Sequence, residues 1–216
     1  GTSHSRSIEN GRIVCFAAGT MIQTEQGEVA IEDLVAGDMV QTLDNGLQPL
    51  RWIGSRKLDA IDLAVNAALR PIRIRAGSLG QDLPVRDLRV SPQHRILIDS
   101  DIARRMFGTP EVLAAAKQFV MIDGIDIDRE ATEVVYYHML FDQHEIVYSD
   151  GALTESLFTG PVAMETLSQE ARDEIRAIMP EALEAGEQLE SARPLLSGRL
   201  ARKLASRHVQ NRKPLI

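Results

Sequence analysis

One cysteine, one tryptophan and an aromatic share of 4% are all that this 216-residue chain carries of residues many proteins use freely. A lone thiol excludes an internal disulfide and any multi-thiolate metal cluster, which leaves Cys15 either an inert small hydrophobe or a reactive group. Five histidines (His4, His94, His138, His144, His208) stand without an HExxH or CxxC companion, so no zinc site, and no metal or organic cofactor, is expected. No apolar run approaches the roughly 18 residues that suggest a membrane span. The opening GTSHSRSIENGR lacks the apolar stretch of a secretory signal and reads as a flank or fragment boundary outside the fold. What remains is 44% hydrophobic with a net charge of -7, enough for one substantial core plus an appendage.

From Ile13 to about Gly160 the segments are short, rich in Val, Ile and Thr, and punctuated by turn pairs at Gln26-Gly27, Gly37-Asp38, Asn45-Gly46, Asp123-Gly124 and Asp150-Gly151. That texture predicts a mostly β domain. Strands are expected over 20–23, 72–75, 87–90, 95–98, 133–141 and 145–148. A hairpin is expected to join 39–42 to 48–54, with Asn45-Gly46 supplying two positive φ angles. One short helix, over 110–117, is expected to interrupt them.

After Gly160 the pattern becomes helical. Leu167, Ala171, Ile175 and Ile178 fall at helical intervals, and Ser168 can cap, with Glu170 and Asp173 close behind. Residues 161–190 hold eight acidic and two basic side chains, whereas 191–216 hold seven basic and none acidic, so the two halves have opposite sign. The plain reading sets an acidic and a basic helix against each other or against the β domain across solvated surfaces. A sharper one makes Arg199, Arg202, Lys203 and Arg207 a docking arm for an acidic partner, lipid headgroups or nucleic acid. No aromatic side chain is interleaved with those charges, which argues against nucleic acid. The expected organisation is a flank over 1–14, a β domain over 15–160 and a helical extension over 161–216.

Three blocks carry chemistry. The first is Ile13-Val14-Cys15-Phe16-Ala17-Ala18-Gly19-Thr20, followed by Ile31-Glu32-Asp33-Leu34-Val35-Ala36-Gly37-Asp38-Met39-Val40. The second is Val90-Ser91-Pro92-Gln93-His94-Arg95, and the third runs from Val135 through His138, Asp142 and His144 to Gly151. In order and spacing they resemble the Hint domain, the self-processing module shared by inteins and Hedgehog proteins. Gln48-Pro49-Leu50-Arg51-Trp52-Ile53-Gly54 is similar to its bacterial intein-like branch.

The resemblance implies an all-β, horseshoe-like compact Hint fold with a C-terminal α-helical extension. It implies that Cys15 attacks the Val14–Cys15 peptide bond on its own N-terminal side. Ser91 and His94 match the TxxH block, with serine in place of threonine, whose hydroxyl and imidazole contact the scissile bond. His144 falls at the histidine of the late intein block and His138 at or beside its Asp/Cys position, with Asp142 a further candidate. Each of these three can equally be a strand-edge residue facing water.

The chemistry suits these groups. Moving an acyl group from nitrogen to sulfur is uphill in isolation, and a free thiol with a pKa of about 8.5 is mostly protonated at neutral pH. Some base must take the thiol proton and some acid must protonate the leaving nitrogen, and imidazole, titrating near neutrality, can do either. On this reading His94 delivers the proton while Ser91 holds the amide. Gly151 is expected to permit a positive φ or a close backbone approach, or to be an ordinary Asp-Gly turn.

Where inteins end in a His-Asn pair, this sequence has Glu155-Ser156. Without an asparagine amide to attack its own carbonyl, the downstream segment is not released by the intein route. The expected activity is therefore autoprocessing without full splicing. The substrate is the N-terminal flank, and the acceptor is water, an amine or another nucleophile such as a hydroxyl. The hosts of similar bacterial domains are often secreted or surface-associated, which implies an exported host. Oligomeric state is not legible. Two other classes fit the same residues: a Cys-His hydrolase acting in trans, and a β-module whose activity has decayed, leaving a structural or interaction role.

Overall fold

The computed structural model describes residues 14–158, 167–178 and 190–216. Fourteen strands build two antiparallel sheets, as the mostly β reading requires. In chain order they are β1 (Phe16–Ala17), β2 (Met21–Thr24), β3 (Gly27–Ala30), β4 (Met39–Gln41), β5 (Leu47–Pro49), β6 (Trp52–Leu58) and β7 (Ile72–Ile74). There follow β8 (Leu88–Val90), β9 (Arg95–Asp99), β10 (Glu111–Ala115), β11 (Ile125–Ile127), β12 (Val134–Leu140), β13 (Ile146–Ser149) and β14 (Ala152–Glu155). One sheet runs β11-β7-β8-β1-β12-β6. The other runs β10-β9-β14-β13-β2-β4-β5, with β3 on β2.

The position of β1 decides the rest. Only two residues long, it lies between β8 and β12, so Phe16 stands opposite both Val90 and Tyr137. Both pairings are antiparallel, and stepping back one residue along β1 means stepping forward one along its neighbours. Cys15 is thereby flanked by Ser91 on one side and His138 on the other, positions 76 and 123 residues away in sequence. Phe16 itself is buried with Val90, Ile96 and Met139 in the main core.

Two expectations are corrected. Residues 110–117 are not a helix, because Glu111–Ala115 pairs along its whole length with β9, Val112, Leu113 and Ala114 fully buried. A short, continuous apolar run has no periodicity to separate a strand from a helix, and the helical preference of its alanines is a weak force beside a full ladder of sheet bonds. A short 3-10 turn follows only at Ala116–Phe119. The second concerns the hairpin. Of Asn45-Gly46 only Gly46 has a positive φ (63°), and the connection is a wider loop in which Thr42 bonds the Gly46 carbonyl through both its N–H and its hydroxyl. The expected second strand also splits into β5 and β6, which belong to different sheets. The tight turn with two positive φ angles occurs at Asp150 (46°) and Gly151 (81°), joining β13 to β14.

Four helices are described: α1 (Ala60–Val65), α2 (Asp101–Phe107), α3 (Gln169–Ile178) and α4 (Gly198–Asn211). Ser168 accepts from the Ala171 N–H, the cap expected for α3. The basic helix α4 packs on α2 and β10 and places Ala201, Leu204 and Ala205 in the main core. Its Arg199, Arg202, Lys203 and Arg207 lie on the exposed side, an arrangement that both readings of these charges share. Much of the acidic segment, 179–189, lies outside the described residues. No helix among the described residues is long and apolar enough to cross a membrane.

Candidate active site

The Val14–Cys15 linkage is gripped at several of its atoms. The Cys15 N–H donates to the Ser91 hydroxyl at 3.0 Å, while the Ser91 N–H donates to the Cys15 carbonyl at 3.0 Å. On the other side His138 Nδ1 lies 3.3 Å from Cys15 Sγ and 3.2 Å from the Val14 carbonyl oxygen. One ring nitrogen therefore reaches both the thiol and the carbonyl oxygen of the peptide bond that precedes it. Cys15 and Val14 are each only 3% exposed.

Burial pushes the Cys15 thiol pKa far up, against the smaller opposing pulls of its hydrogen bond with Ser91 and the charge of Arg56. The thiol is protonated at rest. Burial also lowers His138 to a pKa of about 4, so its ring is neutral at pH 7 and one nitrogen is free to accept a proton. Trp52 stacks parallel to that ring, at 6.3 Å and 9°. This is possible because His138 pairs across the sheet with Gly54: a Cβ there would fall 2.2 Å from the indole. Gly54→Ala would displace the indole.

A histidine that refuses a proton when folded makes stability depend on pH. The unfolded chain binds a proton at His138 near pH 6.5 and the folded chain only near 4, so the stability is fully present above 6.5 and lost as pH falls through that window. Burial lowers His94 and His208 in the same direction. Urea midpoints measured from pH 7 to pH 4 should fall, with His138 alone contributing about 3 kcal/mol, and His138→Gln should flatten the curve. A profile unchanged by that substitution would contradict the buried neutral ring.

His94 is fully buried, with Nδ1 2.8 Å from the Cys15 carbonyl oxygen and Nε2 2.9 Å from that of Glu155. It meets the Cys15 carbonyl, on the far side of Cys15 from the Val14–Cys15 bond. A neutral imidazole has one N–H and cannot donate to both oxygens, whereas the protonated ring can. Burial lowers its pKa while the Glu155 carboxylate and the two carbonyls pull upward, and the lowering prevails.

Behind His94 lies a buried charge cluster. Glu155 is 0% exposed and accepts from the Arg95 N–H (2.7 Å), the Arg95 guanidinium (3.1 Å) and His144 Nε2 (2.9 Å). The tautomer of His144 follows from its other nitrogen, which accepts the Ala192 N–H at 3.0 Å, leaving the proton on Nε2. For Glu155 burial alone would raise the pKa, but the His144 bond and the Arg95 charge outweigh it and hold the carboxyl below its ordinary value. Ser156 is equally built in, its hydroxyl accepting the Glu145 N–H.

The six residues singled out in the sequence thus divide. Cys15, Ser91 and His138 converge on the Val14–Cys15 bond, and His94 joins them through the Cys15 carbonyl. His144 belongs to the Glu155 cluster, and Asp142 is half-exposed in an ion pair with Arg51, away from the thiol. Trp52, Arg95 and Glu155 were not singled out, and only Glu155 had a sequence signal, as an acid standing in place of a terminal histidine. Among the described residues no three His, Cys, Asp or Glu side chains form a metal-holding group.

Cys15, just before β1, is thus held between Ser91, just after β8, and His138 of β12. The Hint-domain family model matches residues 14–161, more than two-thirds of the chain, and the protein belongs to the Hint family of self-processing domains. Solved structures with similarity include a bacterial intein-like domain from Clostridium thermocellum, 16% identical, with 66% of this chain and 97% of that one covered at a TM-score of 0.42. The MchDnaB-1 intein is 11% identical, with 65% and 98% covered at 0.42. A gp41-1 intein variant is 14% identical, with 65% and 98% covered at 0.41. No curated protein matches the chain.

Proposed function

We propose that this domain, over 15–160, transfers the acyl group of Val14 from the nitrogen to the sulfur of Cys15, and that the thioester is then resolved by an outside nucleophile without full splicing. The observation that carries the reading is His138 Nδ1 within reach of both Cys15 Sγ and the Val14 oxygen. With the ring proton on Nε2, Nδ1 accepts the thiol proton as sulfur attacks the Val14 carbon. The Nδ1–H so formed points at the same oxygen just as negative charge gathers there, the moment at which a donor counts most. The S–C bond forms, the C–N bond breaks, and the proton returns to the Cys15 nitrogen, so the step is balanced and consumes nothing. Ser91 holds that nitrogen throughout, and His94 anchors the residue from its carbonyl side, with the proton delivery expected of His94 falling to His138.

Burial of the thiol supports a reaction in cis over hydrolysis in trans, since a peptide bond already inside the fold needs no path to Cys15. Ser156 stands where an intein has its asparagine, and Glu155 and Ser156 are occupied in the core, which supports the absence of downstream excision.

Incubation of the purified chain with dithiothreitol or hydroxylamine should release residues 1–14, read as loss of that mass, with no release from Cys15→Ala. A wild-type chain with a free thiol that stays intact under both reagents would overturn the proposal.

A further inference from the structure

The acyl group that Cys15 would receive has a binding pocket of its own. The Val14 side chain is buried in an apolar cluster with Trp52, Leu140, Leu157, Leu167 and Ile175, against which Ala171 packs. This cluster is separate from the main core, which has no need of a valine at that place. Trp52, Leu140 and Leu157 belong to the part of the chain the family match covers. Leu167, Ala171 and Ile175 lie beyond residue 161, on α3 or just before it, outside that match.

The helix is tied to the site. Trp52 Nε1 donates to Glu174 at 2.7 Å, and Arg51 Nη2 donates to the Ile178 carbonyl at 3.3 Å. The same indole that closes the pocket stacks on His138, whose Nδ1 lies 3.2 Å from the Val14 oxygen. One side chain thus couples three things: the fit of residue 14, the seating of α3 and the placement of the ring beside the thiol.

We propose that α3 completes a subsite for the residue preceding the nucleophile, and that this subsite selects an aliphatic acyl donor of about the size of valine. The inference rests on Cys15 acting as proposed above. Its physical basis is the sensitivity of a closed apolar pocket to volume and charge: one methylene too many or too few changes a rate about 10- to 200-fold. A carboxylate or ammonium in the same place enters a cluster whose described members are all apolar and is penalised further.

The test varies residue 14 in the full chain and reads dithiothreitol-induced release by intact mass, with urea midpoints recorded beside each rate. Val14→Ala should be released about tenfold more slowly than wild type, and Val14→Asp and Val14→Lys slower still. The decisive comparison is compensation. Ile175→Ala enlarges the wall supplied by α3, so Val14→Phe should be released faster with Ile175→Ala than without it, although each single variant is slower than wild type. A purely structural role for α3 would make the double variant the slowest of all. If wild type releases its flank and every residue at 14 does so equally fast, or if the double variant is slowest, the subsite is overturned and the acyl shift stands. If wild type releases nothing, the acyl shift fails and the subsite with it.

Discussion

Replacing His138 with glutamine should slow dithiothreitol-induced release of residues 1–14 by roughly 10²- to 10⁴-fold, the loss expected when a proton-transfer group is removed. Glutamine keeps much of the shape and polarity of the ring but cannot hold a proton. Because burial keeps the thiol protonated, sulfur then loses the base that lies beside it among the described residues. The pH profile separates this role from mere packing. With His138 titrating near 4, the wild-type rate should hold level from pH 8 down to about 5 and fall only as the ring takes a proton from solvent. An unperturbed histidine would lose half its effect near 6.5. Intact-mass kinetics across that range checks both points, and a His138→Gln chain within threefold of wild type would remove the ring from the chemistry.

The largest effect on stability should come from Glu155→Ala. The carboxylate is fully enclosed and takes three donors, so its removal strands His144 Nε2–H, the Arg95 N–H and part of the Arg95 guanidinium. His144 has a side chain only 1% exposed and no route to water, whereas Arg95 at 29% can partly recover. Breaking a buried pair by deleting one partner costs about 3–5 kcal/mol, and urea denaturation at pH 7 should show a fall of that order. Replacing the pair together, Arg95→Met with Glu155→Leu, should restore only the part due to the stranded guanidinium, because the His144 Nε2–H and the backbone N–H of residue 95 still lack their acceptor. A loss below about 1 kcal/mol for the single variant would show that the cluster is satisfied by water.

The two results bear on what could be read from the residues alone. Cys15, Ser91, His94 and His138 were legible because each sits in a short block whose order survives in the sequence, and the all-β character because turn pairs separate β-branched runs. That His138 faces the thiol from across the sheet was not legible. It follows from the register Phe16↔Tyr137, which no local pattern encodes. The Glu155 cluster was hidden for a related reason: Arg95, His144 and Glu155 look like unrelated polar residues until β9 and β14 pair.

Some misses had a signal. Helix α2 is announced by Ser100, whose hydroxyl caps it, and by Gly108 in the left-handed conformation that ends it, a start and a stop eight residues apart. The strand at 111–115 gave no such mark, and its alanines pointed the wrong way. Asn45-Gly46 looked the better tight turn, yet Asp150-Gly151 is the one that forms, because there the flanking strands pair immediately at Ser149 and Ala152. At Asn45 the side chain is engaged instead with Glu145. The partners that enclose Val14 were beyond reach altogether, since they are drawn from β6, β12, the residues after β14, and α3 with the residue Leu167 before it.

Placing the nucleophile between two strands has an outcome that outlasts the reaction. If the proposed reaction removes the flank, Cys15 becomes the first residue of the product, and its new α-amine is left indoors, against the Ser91 oxygen. An ordinary amino terminus ionises near 7.7–8.0, but one shut away from solvent resists carrying charge. The severed end would stay neutral and out of contact with amine-labelling reagents until the chain is unfolded, so that a fully processed preparation would pass, in its native state, for one with a blocked terminus.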